Sequence, residues 1–148
     1  MIGLIQRVSR ARVGVGGETI ASIGRGILVL VGIERADGTA EAARLAERLL
    51  AYRLFGDDAG RMNLSVRDIE GNVLLVPQFT LAADTDRGNR ASFSRAADPE
   101  TGKALFADLE RQVRRLGIEP ATGRFGADMQ VELINDGPVT FWLRVAPK

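Results

Sequence analysis

Residues 27–33 read ILVLVGI, a continuous apolar run bounded by glycines. No position in it offers a polar face to water, so it reads as a strand buried on both sides. NVLLVPQFTL (72–81) begins in the same way. Pro77 lacks a backbone N–H and is expected to end the regular pairing of that second strand. Around these two runs the first segment, IGLIQRVSRARVGV, has partial period-2 alternation and predicts one long strand, or two with a bend. A Gly16-Gly17 turn then leads into ETIASI.

Two helices are predicted. The segment after Asp37-Gly38-Thr39, AEAARLAERLLAYRLF, places Ala42, Leu45, Ala46, Leu49 and Leu50 on one face. Asp98 caps the second, Pro99 takes its first position, and Leu105, Phe106, Leu109, Val113 and Leu116 form its apolar face before Gly117 stops it. FGDDAG is a loop, and RMNLSVRD a short strand or irregular connection. ADTDRGNRASFSRA is polar, basic and aperiodic, a long loop of the kind that often carries function. IEPATGRFGADMQVELI gives one or two strands and VTFWLRV the last, with NDGPVT between them where a hairpin turn is the routine assignment. Two long helices with six to eight strands, many of them consecutive, imply an α+β fold with a mostly antiparallel, barrel-like sheet. At 148 residues the chain is expected to form a single domain, 1–148. No apolar run approaches a membrane span and MIGLIQRVSR does not read as a signal peptide, so a cytoplasmic location without membrane partners is expected.

The chain has neither cysteine nor histidine. Thiolate nucleophiles, sulfur-ligated metals and every Ser-His or Cys-His pair are therefore excluded. Proton transfer in an enzyme of this composition must run through carboxylates, lysine, tyrosine, water, backbone or the substrate. Asp57-Asp58 reads as a solvated loop pair, and no metal or other cofactor is expected. Net charge is only +1, but Arg87, Arg90 and Arg95 punctuate one loop and Arg111, Arg114 and Arg115 one helix end. Such clusters are solvated surface or a phosphate-contacting patch. Thr80, Ser92 and Ser94 are hydroxyls without a histidine to activate them. Phe125, between two glycines, and Met129 read as core residues with a close backbone approach beside them.

VPQFTLAADT, TGRFGADMQVELINDGPVTFWL and the opening IQRVSRARV together resemble the D-aminoacyl-tRNA deacylase (D-tyrosyl-tRNA(Tyr) deacylase) family over essentially the whole chain. Pro77-Gln78-Phe79-Thr80-Leu81 resembles the family's Ser-Gln-x-x-Leu segment, and Asn135-Asp136-Gly137-Pro138-Val139-Thr140 its Asn-x-Gly-Pro-Val-Thr segment. The resemblance implies a homodimeric hydrolase that frees tRNA from D-amino acids and from mischarged glycine, and spares L-aminoacyl-tRNA. It further implies a cis Gly137-Pro138 peptide that reaches into the partner's active site as a chiral selector, with Arg7 fixing its orientation. Gln78, Phe79, Thr80 and Leu81 would line the pocket floor with amides turned to the ester carbonyl. Phe125 would stack near the terminal adenine, and Met129 would border the pocket. Pro77 stands where the family motif has serine, which removes a hydroxyl nucleophile from that position. Two mechanisms follow, one assisted by the RNA's own ribose hydroxyl and one with Thr80 as nucleophile. A non-catalytic RNA-binding module is the reading from another class.

Overall fold

The computed structural model describes all 148 residues. Eight strands and two helices follow in the order β1 (Ile2–Val15), β2 (Glu18–Ile23), β3 (Gly26–Gly32), α1 (Thr39–Ala51), β4 (Phe55–Gly56), β5 (Met62–Leu64), β6 (Asn72–Pro77), α2 (Pro99–Arg115), β7 (Ala121–Thr122) and β8 (Gln130–Arg144). A short 3-10 turn, Phe79–Ala82, follows β6.

The sheet is organised on β1. One of its edges pairs antiparallel with β3 through Ile2 to Val8 and with β2 through Ala11 to Val15. The other edge pairs antiparallel with β8 from Ile2 to Gly14. Beyond β3 the pairing becomes parallel, to β6 and then to β7. The sheet is therefore mixed: antiparallel pairing predominates as expected, centred on β1, and the parallel part lies beyond β3. The reason is connectivity. A chain segment containing α1 crosses between β3 and β6, and one containing α2 crosses between β6 and β7, and such crossovers return strands in the same direction. β2 curls back towards β6 and β7, so the sheet is nearly closed.

Both apolar runs are buried on both faces, as their composition demanded. On β3, Ile27, Val29 and Val31 face the helices, and on β6 Val73 and Leu75 do so. The alternate residues Leu28, Leu74 and Val76 face the inside of the curled sheet with Val8, Ala11 and Val13. Leu45, Leu49, Leu50, Leu105, Phe106, Leu109 and Val113 complete the helix-side core. A fully buried leucine of this kind stabilises the fold by about 1.5–3 kcal/mol relative to an exposed one. Asp98 accepts from the Thr101 amide at 2.9 Å and caps α2 ahead of Pro99, as expected.

Two segments depart from the sequence expectations. α1 ends at Ala51 instead of continuing through Phe55. Tyr52 is already extended, the Leu54 amide donates to Leu64 O, and Phe55 is buried in the β4–β5 hairpin. NDGPVT is not a hairpin turn either. Its flanks belong to one strand, β8, and both pair with β1.

The ends of β1 and β8 are fastened together. The Met1 amino group donates to Asp37 Oδ1 at 2.6 Å and to Val145 O at 2.7 Å, fully buried. Arg144 makes a two-pronged pair with Glu34, 3.0 Å on each prong. Burial opposes the Glu34 charge, yet the Arg144 fork and the amino terminus outweigh it and hold the carboxyl below its ordinary value. The folded carboxyl is thus more acidic than the unfolded one. Its contribution is complete above the unfolded pKa of about 4.3 and is lost as pH falls through the lower folded value. The stability difference between the wild type and Glu34→Gln, measured by urea unfolding, should be full at pH 7 and close on acidification below about pH 4. A difference that stays constant to pH 3 would contradict this role.

Candidate functional site

The parallel strands β3 and β6 end side by side at Val31 and Pro77. Past their carboxyl ends, where crossover connections diverge and leave space, lies a cavity of about 490 Å³. Its walls are the strand ends, the Gln78-Phe79 corner, the first turns of α2, and the segment Phe125–Met129. The lining is mostly apolar, and Asp128, exposed at the rim, is its only ionisable side chain.

Each wall has a local cause. Pro77 ends the ladder, yet the Gln78 amide still donates to Val31 O at 2.7 Å, which fixes the corner. The 3-10 turn that follows leaves the amides of Phe79 and Thr80 without partners inside the turn. The Gln78 side-chain amide donates to Thr80 Oγ1, so this hydroxyl is engaged by an amide and not by a base. Phe125 meets Phe106 of α2 at 6.5 Å between ring centroids. A Cβ on Gly102 would lie 3.2 Å from the Phe125 ring, so the ring would have to give by a few tenths of an ångström, and the glycine lets it approach freely.

The second constellation is on β1 and β8. Between the pairs Gln6–Thr140 and Val8–Asn135, Arg7 alone stands on β1 while Asp136 to Val139 stand on β8. The surplus residues bulge outwards, with Gly137 and Pro138 exposed and Val139 buried beneath them. The Gly137-Pro138 peptide is cis. The Asn135 side chain ties the neck of the bulge: its oxygen accepts from the Val139 amide at 2.7 Å and its nitrogen donates to Thr140 Oγ1 at 2.8 Å. Arg7 holds the bulge from below, donating to Asp136 O at 2.8 Å and to Leu54 O at 2.7 Å. Gly137 has φ of 151°, and a Cβ there would sit 2.7 Å from Val139 Cγ2, so the position admits glycine alone without distortion.

The nine residues singled out from the sequence thus fall into two groups. Gln78, Phe79, Phe125 and Met129 line the cavity, and Thr80 adjoins it through Gln78. Leu81 packs against Gly32 behind the turn, outside the cavity wall. Arg7, Gly137 and Pro138 form the bulge and line no part of the cavity of their own chain. Sequence reading gave no role to Asn135, Gly102, Asp128 or the Leu54 carbonyl. Gly102 had a signal, since an isolated glycine inside a helical pattern costs about 1 kcal/mol relative to alanine.

The family model described as D-Tyr-tRNA(Tyr) deacylase matches residues 4–144. The chain is 61% identical over 147 residues to the D-aminoacyl-tRNA deacylase of Alkalilimnicola ehrlichii, covering 99% of this chain and 98% of that one. The chain belongs to the D-Tyr-tRNA(Tyr) deacylase family. The family's D-aminoacyl-tRNA deacylase from Thioalkalivibrio sulfidiphilus is 60% identical, covering 99% of both chains. Among solved structures, the one called "c-Myc DNA Unwinding Element Binding Protein" superposes with a TM-score of 0.95 at 39% identity, covering 99% of this chain and all of that one. A further solved structure, called "Structural Analysis of a probable eukaryotic D-amino acid tRNA deacylase", shares the fold with a TM-score of 0.83 at 17% identity, covering 96% and 97%.

The clamp around the bulge generates a stability prediction. Gly137→Ala forces its new Cβ against Val139, at a cost of about 1–3 kcal/mol, and thermal melting should fall by roughly 3–10 °C. An unchanged melting temperature would mean that the bulge yields freely and is not held.

Proposed function

We propose that this member of the family, a hydrolase of D-aminoacyl-tRNA, works as a homodimer in which the bulge of one copy closes the cavity of the other. The observation that carries this reading is the separation just described. Gly137 and Pro138 are presented to solvent by a rigid clamp, away from the cavity that holds Gln78, Phe79, Phe125 and Met129. A second copy supplies the missing wall. A partly covered apolar row supports the same assembly. Leu4 pairs with Leu30 and with Trp142, which puts the three side chains side by side on the face away from the helices, and Trp142 is 57% exposed.

In this reading the terminal adenosine of tRNA enters the cavity with its base against Phe125, between that ring and Met129. The ester carbonyl lies at the Gln78–Thr80 corner, where the main-chain amides of Phe79 and Thr80 polarise it and stabilise the tetrahedral oxyanion. Backbone carbonyls of the partner's bulge receive the substrate ammonium. The hydrogen on the α-carbon of a D-amino acid faces this wall, whereas the side chain of an L-amino acid would strike it. Selection is by exclusion. Glycine has no side chain to exclude, so glycine mischarged on tRNA, including Gly-tRNA(Ala), is cleaved as well.

The attacking water needs activation that this chain does not readily supply. It has no histidine, Thr80 Oγ1 receives the Gln78 amide, and Asp128 is exposed at the rim. The vicinal ribose hydroxyl of the terminal adenosine lies beside the ester in every substrate and orients the water instead. Thr80 as nucleophile is the alternative mechanism, and it requires a base that the turn does not bring to the hydroxyl.

Steady-state hydrolysis of D-Tyr-tRNA, L-Tyr-tRNA and Gly-tRNA tests this reading. D-Tyr-tRNA and Gly-tRNA should be cleaved and L-Tyr-tRNA spared by at least about 100-fold, the discrimination expected of a steric clash worth about 3 kcal/mol. Equal survival of the D and L substrates would leave only RNA binding. Thr80→Ala and Asp128→Asn should each keep most of the activity, while D-Tyr-tRNA ending in 2′-deoxyadenosine should lose about 100-fold or more. Complete loss in folded, substrate-binding Thr80→Ala would favour the threonine mechanism.

A further inference from the structure

The cavity has an unexplained extension. Phe79 leaves its lining 59% exposed and meets Phe93, itself 44% exposed, at 5.1 Å between ring centroids. Large exposed aromatic rings in contact, at the mouth of an apolar cavity, are an unusual expense of apolar surface in a folded chain. Phe93 is not on a loose loop. Its hairpin is closed by the Asp84 and Ser92 amides, which donate to each other's carbonyl oxygens at 2.7 and 3.0 Å, and its base is pinned by the Arg35 amide to Arg95 O at 2.9 Å. Charge on the hairpin is divided. Arg95 is neutralised by Asp84 and Asp86 at 3.2 and 3.5 Å. Arg87 and Arg90, at the exposed tip, are left with no ion pair. An aromatic platform flanked by unpaired arginines is the chemistry that holds single-stranded nucleic acid, one stacking the bases and the other meeting the phosphates.

We infer that Phe93, extended by Phe79, is the platform for the unpaired nucleotide that precedes the terminal adenosine of tRNA, and that Arg87 and Arg90 contact the phosphates leading into it. This rests on the proposed placement of the terminal adenosine in the cavity and carries it one nucleotide further along the strand. A second copy of the chain is the competing occupant of the aromatic strip. The tip arginines favour RNA, since a protein surface of this near-neutral chain offers them no row of phosphates.

The test compares kcat/KM on D-Tyr-tRNA with that on 3′-O-D-tyrosyl-adenosine, which lacks every nucleotide but the last. In Phe93→Ala the ratio of the two should fall about tenfold, within the range that one base–aromatic stack carries, and Phe93→Tyr should restore it. In the Arg87→Ala/Arg90→Ala double variant, the salt dependence of KM for D-Tyr-tRNA should flatten by about 0.7 in log–log slope per lost contact. An unchanged ratio in Phe93→Ala, or an unchanged slope in the double variant, overturns the inference. So does a Phe93→Ala protein that becomes monomeric on size exclusion and loses both substrates equally, for then the strip belongs to a second copy. If the wild type cleaves neither substrate, the deacylase reading of the cavity has failed and this inference falls with it.

Discussion

Arg7 stands alone on β1 against four residues of β8, and the candidate site depends on how that mismatch is absorbed. A strand with three surplus residues could bend away, slip its register or leave the sheet. Here the register resumes on both sides because the surplus is gathered into one bulge and held by its own polar groups. The Arg7 guanidinium reaches the Asp136 and Leu54 carbonyls, and the Asn135 side chain closes the neck. Buried Val139 anchors the loop to the helix-side core. Main-chain groups that would otherwise be tied up in a ladder are instead displayed at a fixed height above the sheet. The pairs of β1 with β8 on either side, and the salt-bridged amino terminus beyond them, are what such a device needs as a foundation.

The same sheet generates the cavity through its other pairing mode. Parallel β3 and β6 must send their connections away through helices, so a cavity opens where both strands stop. Pro77 ends the ladder, the 3-10 turn frees two amides, and α2 lends a glycine at the point where an aromatic ring has to approach. Antiparallel pairing thus carries the bulge and parallel pairing the cavity. In a chain without histidine or cysteine, the chemistry proposed above draws on main-chain dipoles, shape and the substrate's own hydroxyl groups.

Much of this was legible in the residues. The uninterrupted apolar runs gave β3 and β6 their two-sided burial, and the Asp98-Pro99 start and the leucine spacing located α2. The excluded nucleophiles followed from composition alone. What was not legible depends on distant partners. Tyr52 to Phe55 carry helix-compatible periodicity, but Leu64 and the buried slot for Phe55 pull them into a hairpin, a tertiary override of local preference. Parallel pairing of β3 with β6 cannot be read from either run, because both faces of each are apolar whichever way the neighbour points. NDGPVT carries turn residues because a bulge and a hairpin ask for the same backbone freedom, and only the flanking register on β1 separates them. The family motifs located Gly137 and Pro138, whereas the roles of Asn135 and Leu54 required the geometry.

Subunit complementation tests most directly whether one chain's bulge serves the other chain's cavity. Gly102→Leu blocks the cavity by driving a side chain into the Phe125 ring, and Gly137→Ala distorts the bulge; each homodimer should be inactive on D-Tyr-tRNA. After the two are unfolded and refolded together, about a quarter of wild-type turnover should return, because half of the dimers are mixed and each mixed dimer regains one intact site from two. If the bulge instead serves its own chain, no mixed dimer contains an intact site. Refolding would then return nothing, and the shared site would be refuted.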